Sequence, residues 1–183
     1  MERDLMRRLH SIAFRATKAE CLDLPEVTDI VRTVELEPAA MRIYKDLVKD
    51  SYAELGQSEV TVTNILTRLL RLSQLTGGFI GDDEGNAPQR ISTAKQAALT
   101  DIIEDVLQEG KKLVVIARFI PEIKAICKLL EKKEIQYSLI MGGVKDRDAQ
   151  VSAFQNDPRV QVFVGQIATA GLGVTLTAAS TMV

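Results

Sequence analysis

Residues 112–166, KLVVIARFIPEIKAICKLLEKKEIQYSLIMGGVKDRDAQVSAFQNDPRVQVFVGQ, decide the fold. KLVVIAR (112–118) is too apolar for a half-exposed strand and reads as one buried on both faces. PEIKAICKLLEKKE (121–134) follows as a helix with Pro121 at its start. IQYSLIMG (135–142) is a second strand, and KDRDAQVSAFQND (145–157) a helix that stops before Pro158. VQVFVGQ (160–166) is a third strand. The strands recur about 22 to 25 residues apart with one helix between each, the spacing of right-handed βαβ crossovers in a parallel α/β sheet.

Upstream, the pattern is helical and less regular. Thr93 and Gln96 fit a capping box, with Leu99, Ile102, Ile103, Val106 and Leu107 as one apolar stripe and Gly110 as its stop. GGFIGDDEGNAPQR (77–90) is rich in turn formers and reads as an exposed loop or linker. Pro38 opens a helix with Met41, Tyr44, Leu47 and Val48 on one face and Gly56 past its end. A second helix covers about 60–75, with Ile65, Leu66, Leu69, Leu70 and Leu72. DLPEVTDIVRTVEL (23–36) alternates as a strand would. The expected division is a mostly helical N-terminal extension over 1–80, a loop over 81–91 and an α/β domain over 92–183.

Composition narrows the function. The net charge of −2 does not advertise nucleic-acid or membrane binding, so any such contact needs a local patch. Cys21 and Cys127 form no CxxC pair, and the charged start MERDLMRRLH is no signal peptide; a reduced, cytoplasmic setting is expected, with the nucleus left open. No apolar run reaches the roughly 20 residues that span a bilayer, so no membrane partner is expected. His10 is the single histidine, which argues against metal sites and histidine catalysis.

In a parallel sheet the working crevice lies beyond the carboxyl ends of the strands. Three loops emerge there: ARFIP (117–121), MGGVK (141–145) and QIATAGLG (166–173). They carry an arginine, a Gly-Gly and a Gly-x-Gly with hydroxyls, features able to turn backbone N–H groups toward an anion. Each has a plainer reading. Arg118 is a phosphate contact or a surface arginine paired with an acid. Gly142 and Gly143 open a backbone path or only satisfy a positive φ. Arg147 pairs with Asp146, Asp148 or an acid elsewhere, and Lys111, Lys112, Lys132 and Lys133 are solvated. Phe154, Ile126 and Leu130 belong to the core. The aliphatic stripes of 41–72 are core or interface. EGKK (109–112) is not a GxxxxGK[ST] phosphate cradle, so a nucleotide site made wholly by this chain is not expected.

Taken in order, residues 110–179 resemble the second RecA-like lobe of superfamily-two helicase-like ATPases, in particular the Swi/Snf-type DNA translocases. The resemblance rests on a strand ending in Arg118-Phe119, a strand ending in a glycine turn, and Arg147 seven residues before Phe154-Gln155-Asn156-Asp157. It closes on Ala170-Gly171-Leu172-Gly173 leading to Leu176-Thr177-Ala178-Ala179. FRATKAECLDLPEVTDIVRTVELEPAAMRIYKDL (14–47) is similar to the segment that enters that lobe. The family usually has Gly-Gly where Ala170-Gly171 stands, and often asparagine where Thr175 stands.

The resemblance implies a RecA-like (P-loop-NTPase-type) lobe that completes an ATP site between two lobes and tracks duplex DNA without sequence preference. It implies nucleotide contacts at Gly171 and Gly173, and DNA contacts at Arg118, Gly142, Gly143, Thr169 and Thr175. ATP and Mg²⁺ would serve a longer protein with a first RecA-like lobe. The 183 residues alone would be a piece ending before the arginine-finger motif, with no catalytic residue, no metal site and no bound cofactor. The alternatives are a non-catalytic α/β protein-interaction or nucleotide-binding module, or a Rossmann-like enzyme domain. Against the last, no GxGxxG follows the first strand.

Overall fold

The computed structural model describes residues 2–14, 16–17, 21, 23, 26–55, 62–81, 87–171 and 173–183. They form two compact units, Met1–Thr33 and Val34–Val183. The first holds helix α1 (Glu2–Ile12), whose Leu5, Met6, Leu9 and Ile12 stay exposed. Of the motif residues quoted for the entering segment, Arg15, Lys18, Leu24 and Pro25 lie outside the described residues. The strand expected over 23–36 does not form in described residues 26–37, where Val27, Ile30 and Val31 are about as exposed as in an unfolded chain. Alternation supplies a face but not a ladder partner, and none is present among the described residues.

In the second unit, α2 (Pro38–Leu55) and α3 (Val62–Thr76) fill the two expected helical windows. Gly56, the expected stop, is outside the described residues. The stripe on α3 is only partly core: Leu75 is fully buried, but Leu66, Leu69 and Leu70 are exposed. The loop expected over 77–90 contains two short antiparallel arms, β1 (Phe79–Ile80) and β2 (Gln89–Arg90). They form because the Gly78 carbonyl accepts from the Ile91 and Ser92 amides while Arg90 lies over the Phe79 ring. Gly78 has φ +89, and a Cβ there would sit 2.6 Å from the Ser92 carbonyl oxygen, so the close approach requires glycine.

The remainder alternates regularly. Helix α4 (Ala94–Gln108) leads to β3 (Lys112–Ala117), α5 (Ile120–Lys132), β4 (Gln136–Ile140), α6 (Arg147–Asn156), β5 (Val160–Gln166), the single turn α7 (Ile167–Ala170) and β6 (Ala179–Met182). The sheet order is β4-β5-β3-β6, and every pairing is parallel. Successive residues of β3 and β5 face opposite sides, so two cores form. Leu113, Val115, Val162 and Val164 meet Leu99 and Ile103 of α4 and Ile123, Ile126 and Leu130 of α5. Val114 and Phe163 meet Phe154 of α6 and Ala170 of α7. Each fully buried leucine, isoleucine, valine or phenylalanine among them contributes roughly 1.5–3 kcal/mol.

Two expectations about polar residues change. The Thr93–Gln96 capping box is absent: the Thr93 side chain makes no cap bond, and Gln96 donates to the Ala125 carbonyl instead. The carboxylate of Glu37 takes over the helix start. The Thr93 amide donates to Glu37 Oε1 at 2.8 Å, the Thr93 hydroxyl at 2.9 Å, and the Ser92 hydroxyl donates to Oε2. Lys112 is not solvated either. Its ammonium donates to the Asp157 carbonyl at 2.7 Å and to that of Phe154, and lies 5.2 Å from the Phe154 ring centre. A cation at a helix C-terminus is favoured by the carbonyls left unpaired there. Lys111 and Lys133 pair with Glu109 and Glu104.

Candidate functional site

The strand register sets the site. Ala117 stands opposite Gln166, and Ile140 opposite Gly165. The parallel strands therefore end at one level, and the three loops leave one edge together. Glutamine 166 ties two of them: the Gly142 amide donates to Gln166 Oε1 at 3.0 Å. Beyond it, the Val144 amide donates to the Met141 carbonyl and Gly143 takes φ +92, giving a tight turn. Asp146 then caps α6 by accepting from the Ala149 amide at 2.9 Å.

Arg118 is exposed just past β3, its guanidinium 5.4 Å from the centre of the Phe119 ring. Among the described residues it makes no ion pair, and neither does Arg147, so the expected acid partners are not used. Lys145 and Arg147 are exposed on the neighbouring loop and helix start, but they alternate with the equally exposed Asp146 and Asp148, so Arg118 is the unbalanced cation at the ends of these two loops. Glu122, in the first turn of α5, is a further acid nearby. Burial pushes its carboxyl above the usual range, opposed by Lys95 and the Phe119 and Arg118 amides.

The third loop folds back on the sheet. A Cβ on Gly165 would come within 2.8 Å of Ile116 Cδ1 and 2.9 Å of Ala170 Cβ, so its lack of a side chain lets α7 close onto β5. Gly171 has an ordinary φ of −74°, yet a Cβ there would meet the Ile167 carbonyl oxygen at 2.5 Å. Gly173 has φ +72 and open space around it. Leu172 between them is outside the described residues. Thr169 turns its hydroxyl back to the Gln166 carbonyl at 3.3 Å.

Thr175 is not with the others. After Gly173 the chain runs down the face covered by α6, burying Val174 and Leu176 in part, to start β6. The Thr175 carbonyl accepts from Gln155, near the C-terminus of α6 and hence toward the opposite edge of the sheet. The structure thus brings Arg118, Gly142, Gly143, Thr169, Gly171 and Gly173 to one edge and leaves Thr175 apart. Sequence reading missed Gln166, Gly165 and Gln155. Gln155 stood inside a quoted motif, but its type alone does not reveal its partners.

The edge is open. Two cavities of about 50 Å³ each lie instead between the β1–β2 arms and the starts of α4 and α5, sharing Gly77, Phe79 and Glu122 as walls. An open edge with exposed cations and glycine turns suits an extended anionic chain better than an enclosed small molecule.

Fold and edge define a RecA-like lobe. No family model matches the chain. Its relatives are ATP-dependent helicases and SWI2/SNF2 ATPases, with the structural likeness on the C-terminal lobe of the latter. An ATP-dependent helicase of Mycoplasma pneumoniae is 27% identical over 98% of this chain, which spans 17% of that relative's length. The Sulfolobus solfataricus SWI2/SNF2 ATPase core in complex with dsDNA is 26% identical with a TM-score of 0.71, over 99% of this chain and 40% of that one. The C-terminal domain of the same ATPase is 27% identical with a TM-score of 0.66, over 80% of this chain and 66% of that one.

Proposed function

We propose that this chain serves as the second lobe of a two-lobed, DNA-dependent ATPase of the Swi/Snf kind. Its carboxyl edge would hold one strand of duplex DNA by phosphate contacts that carry no sequence information. The supporting observation is the convergence of Arg118, the Gly142–Gly143 turn and the 166–173 loop at one level, with Gln166 joining the last two. Phosphate needs charge, donors and room, and these residues offer a guanidinium, turn amides and missing side chains. The likeness to a core solved with dsDNA supports the duplex as ligand.

In this reading ATP and Mg²⁺ sit between this lobe and a first lobe of a longer protein, with Gly171 and Gly173 on the approach to the nucleotide. The described residues include no cluster of three His, Cys, Asp or Glu able to hold a cation, and the chain has no GxxxxGK[ST] loop. These residues do not fit metal or triphosphate unaided, so no hydrolytic step is assigned to them. The lobe alone is proposed to be silent as an ATPase.

Fluorescence anisotropy with random-sequence duplexes tests the DNA half. Binding at low salt should be weak and equal across sequences, with a log–log salt slope of about −2 to −3 for two or three phosphate contacts. Arg118→Ala should weaken it several-fold at every sequence. Sequence-selective binding at physiological salt contradicts the reading, as does no binding even at low salt. Metal-dependent ATP hydrolysis by these 183 residues refutes the half-site.

A further inference from the structure

We propose that Gln155 is a positioning residue for residues 173–178, acting through its side-chain amide from the end of α6. Its Nε2 donates to the Thr175 carbonyl at 3.2 Å and to Thr177 Oγ1 at 3.0 Å, and its Oε1 accepts from the Ala178 amide at 2.7 Å. One side chain thereby satisfies three groups of a stretch, residues 173–178, that belongs to no helix or strand before β6 begins at Ala179. Without it the Thr175 carbonyl, the Ala178 amide and the Thr177 hydroxyl would have to turn to water, and the stretch would lose its fixed path.

The support beneath Gln155 is rigid, which makes the clamp useful. The preceding residue, Phe154, is fully buried and meets Phe163 edge-on at 5.5 Å. Lys112 binds the carbonyls of Phe154 and Asp157, fixing this end of α6 to the first residue of β3. At the same helix, Gln150 Oε1 accepts from the Leu139 amide at 2.9 Å, holding α6 to β4. The other end of α6 carries the Asp146 cap next to the Gly142–Gly143 turn. Helix α6 is therefore a rigid strut. One end adjoins the glycine turn of the proposed phosphate edge, and the other holds the tail of the glycine loop. Gln155 keeps the two in fixed relation, so releasing it should loosen residues 173–178 while α7 stays closed onto β5 at Gly165.

This inference rests on the DNA reading for its functional half and on geometry alone for its structural half, and the two are measured separately. The experiment uses the 183-residue chain with Gln155→Met, which keeps the bulk and loses the amide, and Gln155→Glu, which keeps an acceptor for Ala178. Hydrogen exchange read at single amides should show Ala178 exchanging roughly tenfold faster in Gln155→Met, with β5 amides unchanged, because local opening need not follow global stability. Gln155→Glu should restore part of the Ala178 protection, since it keeps the acceptor for that amide but sets a carboxylate oxygen against the Thr175 carbonyl. Unchanged exchange in Gln155→Met, or faster exchange throughout the sheet, overturns the clamp. DNA affinity is then compared in the same samples. A several-fold loss in Gln155→Met at unchanged melting temperature is expected. Equal affinity in the two proteins refutes the positioning role even where the clamp exists. If the unsubstituted chain binds no duplex at low salt, the DNA reading and the positioning role fall together, while the exchange result still decides the clamp.

Discussion

Residues 92–183 and residues 34–91 share one compact unit but are held by different means. The first region is a sheet with apolar cores on both faces. In the second, Ala40 and Leu75 are the buried apolar side chains among those described. Specific polar bonds tie it to the lobe: Glu37 grips Ser92 and Thr93, and the Gly78 carbonyl takes the Ser92 amide as well as that of Ile91. A two-sided core is stabilised by area removed from water and is indifferent to pH. A carboxylate latch depends on one ionisation. The same chain therefore contains a part whose stability follows packing and a part whose attachment follows charge.

The sharpest way to break this contrast is inside the lobe. Phe154→Ala should cost about 3 to 5 kcal/mol, because it leaves a cavity beside Phe163 and removes the ring beneath Lys112. Denaturant unfolding should show one transition moved to lower concentration. In the extension, Leu75→Ala should cost about 2 kcal/mol, near the low end for a buried leucine. Exchange should quicken in α3 while β5 amides stay protected. If β5 amides quicken equally, the two regions are one cooperative body and the contrast fails.

The latch has a pH signature. Hydrogen bonds from Ser92, then from the Thr93 amide, lower the Glu37 carboxyl from 4.5 to about 2. A folded-state pKa below the unfolded one means stability that is complete above about pH 4.5 and is lost as the pH falls toward 2. Melting temperatures over that window should fall less steeply in Glu37→Gln than in the unsubstituted chain. Identical slopes would mean that the carboxylate is not the attachment. The smallest effect is expected at Glu134, which holds φ +57 where α5 ends. Glu134→Gly should raise stability by about 0.5 to 1 kcal/mol, since an L side chain is strained there.

The lobe was legible because both of its signals are local. Apolar runs in 112–117 and 160–166 mark doubly buried strands, and Pro121, Gly110 and Pro158 punctuate the helices between them. Parallel pairing then put the three loops on one edge with no further information. What stayed hidden is long-range. Thr93-x-x-Gln96 spells a capping box, but a carboxylate 56 positions away outcompetes it. Lys112 looks like any solvated lysine until α6 delivers two carbonyls to it. Thr175 shares a motif with Gly171, yet the descending segment carries it away from that edge. Val27, Ile30 and Val31 show the reverse error, a correct local alternation with nothing to pair against.

The strand order also has a kinetic side. β3 is the earliest of the four strands in the chain, but its sheet neighbours are β5 and β6, which begin only at Val160 and Ala179. No hairpin can protect it meanwhile, since β4, the next strand to appear, pairs with β5 alone. Distant parallel pairings of this sort place a domain among the slower folders, because loop closure precedes any reward from contact. Until β5 arrives, LVVIA stands with both hydrogen-bonding edges bare, a template for the same segment of another molecule. The strand that organises the finished sheet is thus also the point at which a folding chain is most open to self-association.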